Sequence, residues 1–155
     1  MSRHFLELKI PPPLVGLAMA ALMWWIASMT PPLDTPRVMR IASAIVIAAI
    51  GGALDIAGLI AFLRSKTTVN PLKPQKTSAL VTGGVYRITR NPMYVGMVLL
   101  LVAWAVFLAA PLALAGPLLF FGWITRFQIL PEERVMAGKF GTAFEDYKRR
   151  VRRWL

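Results

Sequence analysis

The chain of 155 residues contains no cysteine. A disulfide framework, a thiolate metal site and a cysteine nucleophile are therefore excluded. It contains one histidine, His4, near the N-terminus. One histidine without cysteine does not build a typical transition-metal site, so no metal is expected. Acids are scarce too, with 7 Asp and Glu against 18 Lys and Arg. Charged residues make up only 16% of the chain, where a soluble domain carries about a quarter. The low hydrophobicity that marks disorder is also missing.

What is abundant is apolar. Hydrophobic residues reach 57%, the mean hydropathy is +0.59, and yet the formal net charge is +11. A nucleic-acid binder carries such a charge but not such hydropathy, so no nucleic-acid partner is expected. The two facts reconcile in one membrane domain covering residues 1–155, with the positive charge outside the apolar runs.

Four such runs stand out: Leu14–Met29, Ile41–Leu63, Met93–Ala110 and Leu112–Leu130. Each approaches the roughly 20 residues that cross a bilayer as a helix. No period-2 alternation appears in them, and backbone in lipid must satisfy itself, so each reads as a helix. Prolines punctuate the runs: Pro11, Pro12 and Pro13 before the first, and Pro31, Pro32 and Pro36 after it. Pro111 marks a very short turn, which predicts an antiparallel helical hairpin. Pro117, inside the fourth run, predicts a kink. The first run is longer than the core of a typical signal peptide, so it is read as a retained span. The expected fold class is thus all-α and integral to the membrane.

Orientation follows from Lys and Arg. The segment 64–92 holds Arg64, Lys66, Lys73, Lys76, Arg87 and Arg90 and no acid. The tail 131–155 holds Arg134, Lys139, Lys148, Arg149, Arg150, Arg152 and Arg153. Both are expected on the cytoplasmic side, and four spans then place the N-terminus there too. The expected location is a cell inner membrane. Ser65–Ser78 reads as an ordered surface loop. In the tail, Met136, Phe140, Phe144, Tyr147, Val151 and Trp154 recur at helical spacing. This predicts an amphipathic helix with a basic outer face, packed on other cytoplasmic segments or lying against anionic headgroups.

Chemistry concentrates at two places. The first is Thr82–Gly96, where the basic loop enters the third run. Asn91 suits an N-cap and Pro92 the first helical position. A helix start there attracts an anion. Arg87 and Arg90 add charge, Gly83 and Gly84 permit close backbone approach, and Tyr86 and Tyr94 add aromatic faces and hydroxyls. The same residues also suit a turn, a cap and interfacial anchors, and on physics alone the two readings are level. The second place is Glu132–Glu133 after Pro131. These carboxylates open the tail helix, or bind an ammonium or a ribose. A basic end and an acidic end around one pocket suit a zwitterionic ligand.

The order of residues Gly84-x-Tyr86-x-x-x-Arg90-Asn91-Pro92-Met93-Tyr94-x-Gly96 resembles the signature of the isoprenylcysteine carboxyl methyltransferases and their bacterial relatives. Asn91-Pro92-Met93-Tyr94 is also similar to the phospholipid N-methyltransferases. Both groups share an acidic pair after the last hydrophobic hairpin and a tail like Phe140-Gly141-x-x-Phe144-x-x-Tyr147. The resemblance runs from about Thr67 to the C-terminus. It implies an integral-membrane methyltransferase that uses S-adenosylmethionine, without a Rossmann-type fold. Indeed no Gly-x-Gly-x-x-Gly follows a strand here. It assigns cofactor binding to Gly84, Tyr86, Arg90, Pro92, Tyr94, Glu132 and Glu133, with Asn91 standing where many isoprenylcysteine enzymes have histidine. The implied acceptor is lipidic or a small molecule, among membrane lipids as partners. The implied chemistry is in-line displacement at a sulfonium methyl, where positioning and desolvation supply much of the rate. The alternative is an accessory or assembly protein that kept the fold.

Two charged residues inside the runs complete the candidates. Asp55 lies in the second run, where a charge is costly and marks function by default. Arg126, near the end of the fourth, is its expected ion-pair partner or a residue of the ligand path. These two are the candidate catalytic groups.

Overall fold

The computed structural model describes residues 5–65 and 77–155. The N-terminal prolines end a turn and start helix α1, Pro12–Ser28, with proline in the first helical positions, where no amide is needed. Helix α2, Arg37–Arg64, is the longest at 28 residues. A 3-10 turn, Gly84–Arg87, precedes α3, Pro92–Leu108. Ala109 adopts a left-handed conformation (φ +53°) and ends α3, and a second 3-10 turn, Pro111–Leu114, leads into α4, Ala115–Ile124. A π turn, Thr125–Ile129, joins α4 directly to α5, Leu130–Phe140. Helix α6, Thr142–Arg150, follows. No strand occurs among the described residues; Thr89 and Arg152 form one isolated parallel bridge.

The chain is all-helical, and the four apolar runs are the helical regions expected. Two helical stretches, Arg37–Arg64 and the continuous Pro111–Phe140, are long and apolar enough to cross a membrane, while α1 and α3 are shorter and apolar. Large apolar side chains stand exposed along them, among them Leu17, Ile45, Ile56 and Leu118. Such a surface is costly in water and matched to lipid.

Two expectations are corrected. Pro117, expected in a helix interior, is instead the third residue of α4, within the first turn after a 3-10 turn, where its missing amide has no intrahelical role. The wide π turn comes instead just before Pro131. Pro131 has no amide to donate and its ring crowds the preceding turn, and a π turn relieves both effects. The tail is not one helix. Gly141, at φ +51°, breaks it into α5 and α6, and residues 151–155 leave the helix altogether. The expected loop Ser65–Ser78 lies, over residues 66–76, outside the described residues.

Packing explains the arrangement. Helices α2 and α3 meet along a seam of small residues. A Cβ on Gly96 would stand 2.6 Å from the Gly51 carbonyl oxygen, and one on Gly51 would stand 2.8 Å from the Gly96 carbonyl. Met23, Phe120, Ile124 and Ile129 form a core between α1, α4 and the π turn. A second cluster, Val81, Tyr86, Phe144, Tyr147 and Val151, docks α6 under the 3-10 turn at Gly84. The aromatic spacing in the tail therefore reports internal packing. At the same end of the molecule, Leu8 donates its amide to the Phe127 carbonyl at 3.1 Å, laying the N-terminal segment across the π turn.

Candidate functional site

A cavity of about 490 Å³ opens where the end of α2, the segment before α3, α5 and α6 converge. That volume is in the range of small-molecule sites. One wall is apolar, made by Leu59 and Phe62 of α2 and Met93 and Met97 of α3, with Pro11–Pro13 beside it. The lining also carries Tyr86, Arg90, Tyr94, Glu132 and Glu133.

Two neutral donors meet one carboxylate oxygen. Tyr94 donates its hydroxyl to Glu132 Oε1 at 2.9 Å, and Gln128 Nε2 donates to the same atom at 2.5 Å. Gln128 sits four residues before Glu132, across the π turn and Pro131, and is only 3% exposed. Glu132 Oε2 accepts nothing from the described residues.

Glu133 is held differently, by two cations. Arg90 donates one Nη to Oε1 at 2.8 Å. Arg153 is bidentate, with Nε on Oε1 at 3.0 Å and Nη on Oε2 at 2.8 Å. The hydrogen bond to Glu133 raises the Arg153 guanidinium further above its ordinary value, against a smaller opposing effect of burial. Charge-assisted forks of this kind fix geometry as well as supply energy.

The residues after α6 tie down the segment before α3. Arg90 donates its amide to the Arg152 carbonyl at 3.0 Å. The Arg153 carbonyl accepts from Asn91 Nδ2 at 2.9 Å and from Thr89 Oγ1 at 3.3 Å. Trp154 stacks on Phe121 of α4 with ring centroids 4.4 Å apart. Asn91 thus stands at the N-cap position of α3, as expected, but its side chain makes no cap hydrogen bond. It serves the strap instead.

Tyr86 and Tyr147 floor the site. Tyr147 donates its hydroxyl to the Tyr86 carbonyl at 2.7 Å, and the Tyr86 ring meets Phe62 edge-on at 5.5 Å. Burial pushes the Tyr147 phenol up to about 12, against a smaller opposing effect of Arg90. Burial raises Tyr86 still more, helped by Tyr147 and Glu132. Both are neutral hydroxyls at any physiological pH.

Of the residues singled out from the sequence, Tyr86, Arg90, Asn91, Tyr94, Glu132 and Glu133 line this cavity. Gly84 and Pro92 do not: Gly84 (φ +61°) shapes the 3-10 turn, and Pro92 is buried at the start of α3 beside Gly58. The expected Asp55–Arg126 pair is not formed. Arg126 pairs with Glu7 at 3.0 Å, and Arg134 pairs with the other oxygen of Glu7. Asp55 lies in the α2–α3 seam against Gly96, with Oδ1 buried and unpartnered among the described residues. Neither Asp55 nor Arg126 lines the cavity. Sequence reasoning missed Gln128 and Arg153. A polar side chain one turn before Glu132 in an apolar run was a usable signal for Gln128. Arg153, one of seven tail cations, carried none.

A family model described as phospholipid methyltransferase matches residues 39–143, and the chain belongs to that family. The match reaches back through α2, well upstream of the resemblance read from the motifs, and stops short of Arg153. A Haemophilus influenzae protein, itself described only as uncharacterized, is 43% identical over 63 residues, covering 41% of this chain and 100% of that protein. No solved structure matches the chain significantly. Family membership points to methyl transfer with membrane lipids as substrates, in a family whose methyl donor is generally S-adenosylmethionine.

Proposed function

We propose that this protein transfers a methyl group from S-adenosylmethionine to a lipidic or small acceptor at the cytoplasmic face of the membrane. In this reading α1, α2, α3 and the α4–α5 helix are four spans of a cell inner membrane, with both termini cytoplasmic and the basic segments 64–92 and 131–155 on that side. The observation that carries it is the convergence of Tyr86, Arg90, Tyr94, Glu132 and Glu133 on one cavity in a chain of this family.

The residues present fit the cofactor. Arg90 is 9% exposed in its side chain, and its Nε is buried with no partner among the described residues. An unfilled cationic donor of this kind matches a carboxylate. Glu132, with Oε2 taking no described donor, suits an ammonium or ribose hydroxyls. Tyr86, Tyr94 and Phe62 supply aromatic surface beside a cationic centre. When bound, the cofactor supplies a methyl group already activated on a sulfonium. The chain's own contribution is to orient and to exclude water. The strap holds Arg90 and Asn91 in place, Tyr94 and Gln128 orient Glu132, and the wall of Leu59, Phe62, Met93 and Met97 takes an apolar acceptor chain.

Calorimetry of the purified protein with S-adenosylmethionine in detergent tests the binding step. Incubating membranes with methyl-labelled cofactor and identifying the labelled lipid tests the reaction. Absence of binding, together with Glu132→Ala and Tyr94→Ala variants that behave as the parent, would leave a non-catalytic accessory protein as the reading.

A further inference from the structure

Arg153 occupies an unusual place. It lies beyond the residues matched by the family model, yet it shares a carboxylate with the cavity residue Arg90. Glu133 has two oxygens. Arg153 takes both, through Nε on Oε1 and Nη on Oε2. Arg90 is left with a single bond, from one Nη to Oε1. Its Nε stays buried and unpartnered among the described residues, in a side chain 9% exposed.

An arginine and a carboxylate alone prefer a two-point fork, and its side-on form, the one Arg153 makes with Glu133, engages Nε and one Nη together. With Arg153 removed, Glu133 is free to offer both oxygens to Arg90, and Arg90 Nε is then consumed inside the protein. We propose that Arg153 is a positioning residue: by saturating Glu133 it keeps Arg90 Nε available for the carboxylate of the methyl donor. This rests on the cofactor reading above. The carbonyl of the same residue holds Asn91 and Thr89, so one residue fixes both the side chain and the backbone around Arg90.

The test uses the full chain in detergent and two probes, S-adenosylmethionine and its decarboxylated form, each titrated by calorimetry. The parent binds the carboxylate-bearing probe more tightly. Arg153→Ala loses roughly tenfold for that probe, the scale of one charged hydrogen bond, and little for the decarboxylated one. Arg153→Lys, which keeps the charge but not the fork, falls between. In a Glu133→Gln background, Arg153→Ala adds little, since its action runs through Glu133. Equal losses for both probes overturn the inference, because that is the mark of a general structural role. So does unchanged binding, or additivity with Glu133→Gln. A parent that binds neither probe overturns the cofactor reading and this inference with it.

Discussion

The hydroxyl of Tyr94 donates to Glu132 Oε1 at 2.9 Å and so ties the first turn of α3 to the first turn of α5. Gln128 completes the same oxygen. Tyr94→Phe removes one donor and leaves the ring. The expected cost is about 1 kcal/mol of cofactor binding, a several-fold rise in Kd. Gln128→Leu costs a similar amount, and the double variant departs from additivity because both donors serve one atom. Calorimetry on the three variants checks this. Parent-like affinity in the double variant is incompatible with a role for Glu132 in the site.

The glycines of the α2–α3 seam separate packing from propensity. Gly96→Ala and Gly51→Ala force a Cβ into opposing backbone, and each is expected to cost about 1–3 kcal/mol. Gly52→Ala is the control: a Cβ there meets nothing within 4 Å, so helix propensity makes it neutral or stabilising by up to about 1 kcal/mol. Thermal unfolding in detergent ranks the three. If Gly52→Ala proves the most damaging, the seam is wrongly placed.

Tyr147 and Tyr86 set an alkaline limit. Their phenols ionise in the folded protein at higher pH than in the unfolded chain, where the value is near 10. Stability from this source is intact below about pH 10 and is lost as pH rises toward the folded value of about 12 for Tyr147. Tyr147→Phe removes that share of the pH dependence at the cost of its bond to the Tyr86 carbonyl. Unfolding midpoints measured between about pH 9 and 12 check it. Identical slopes for parent and variant would refute the assignment.

Asp55 is expected to be structural. It sits in the seam, away from the cavity lining. Asp55→Asn therefore keeps turnover within about twofold, as for substitutions clear of a site. A loss of a hundredfold or more, with cofactor affinity unchanged, places it in the chemistry after all.

The apolar runs were legible because lipid and helix impose the same pattern over many residues. The two ends of the site were legible as well, through Arg90, Tyr94, Glu132 and Glu133. What escaped was of three kinds. The strap works mainly through carbonyls of Arg152 and Arg153, and a carbonyl looks the same at every position. The break at Gly141 escaped because α6 resumes with Phe144 and Tyr147 on the buried side, so the helical spacing survives a gap in the helix. The π turn before Pro131 has no sequence mark beyond that proline.

The lengths of α1 and α3 bear on the bilayer itself. Each has 17 residues, which reach about 25 Å at 1.5 Å per residue, against a hydrocarbon layer of about 30 Å. Helix α2, with 28 residues, reaches about 42 Å. In the proposed four-span arrangement the molecule has a short side and a long side. The short side is formed by the two helices whose starting segments, Pro11–Pro13 and Asn91, border the cavity. A short helix is met by thinning of the bilayer, by snorkelling of its flanking residues or by oligomerisation. Where the bilayer answers by thinning, the leaflet would dip beside Tyr94, shortening the journey of a headgroup into the cavity and making turnover answer to acyl-chain length.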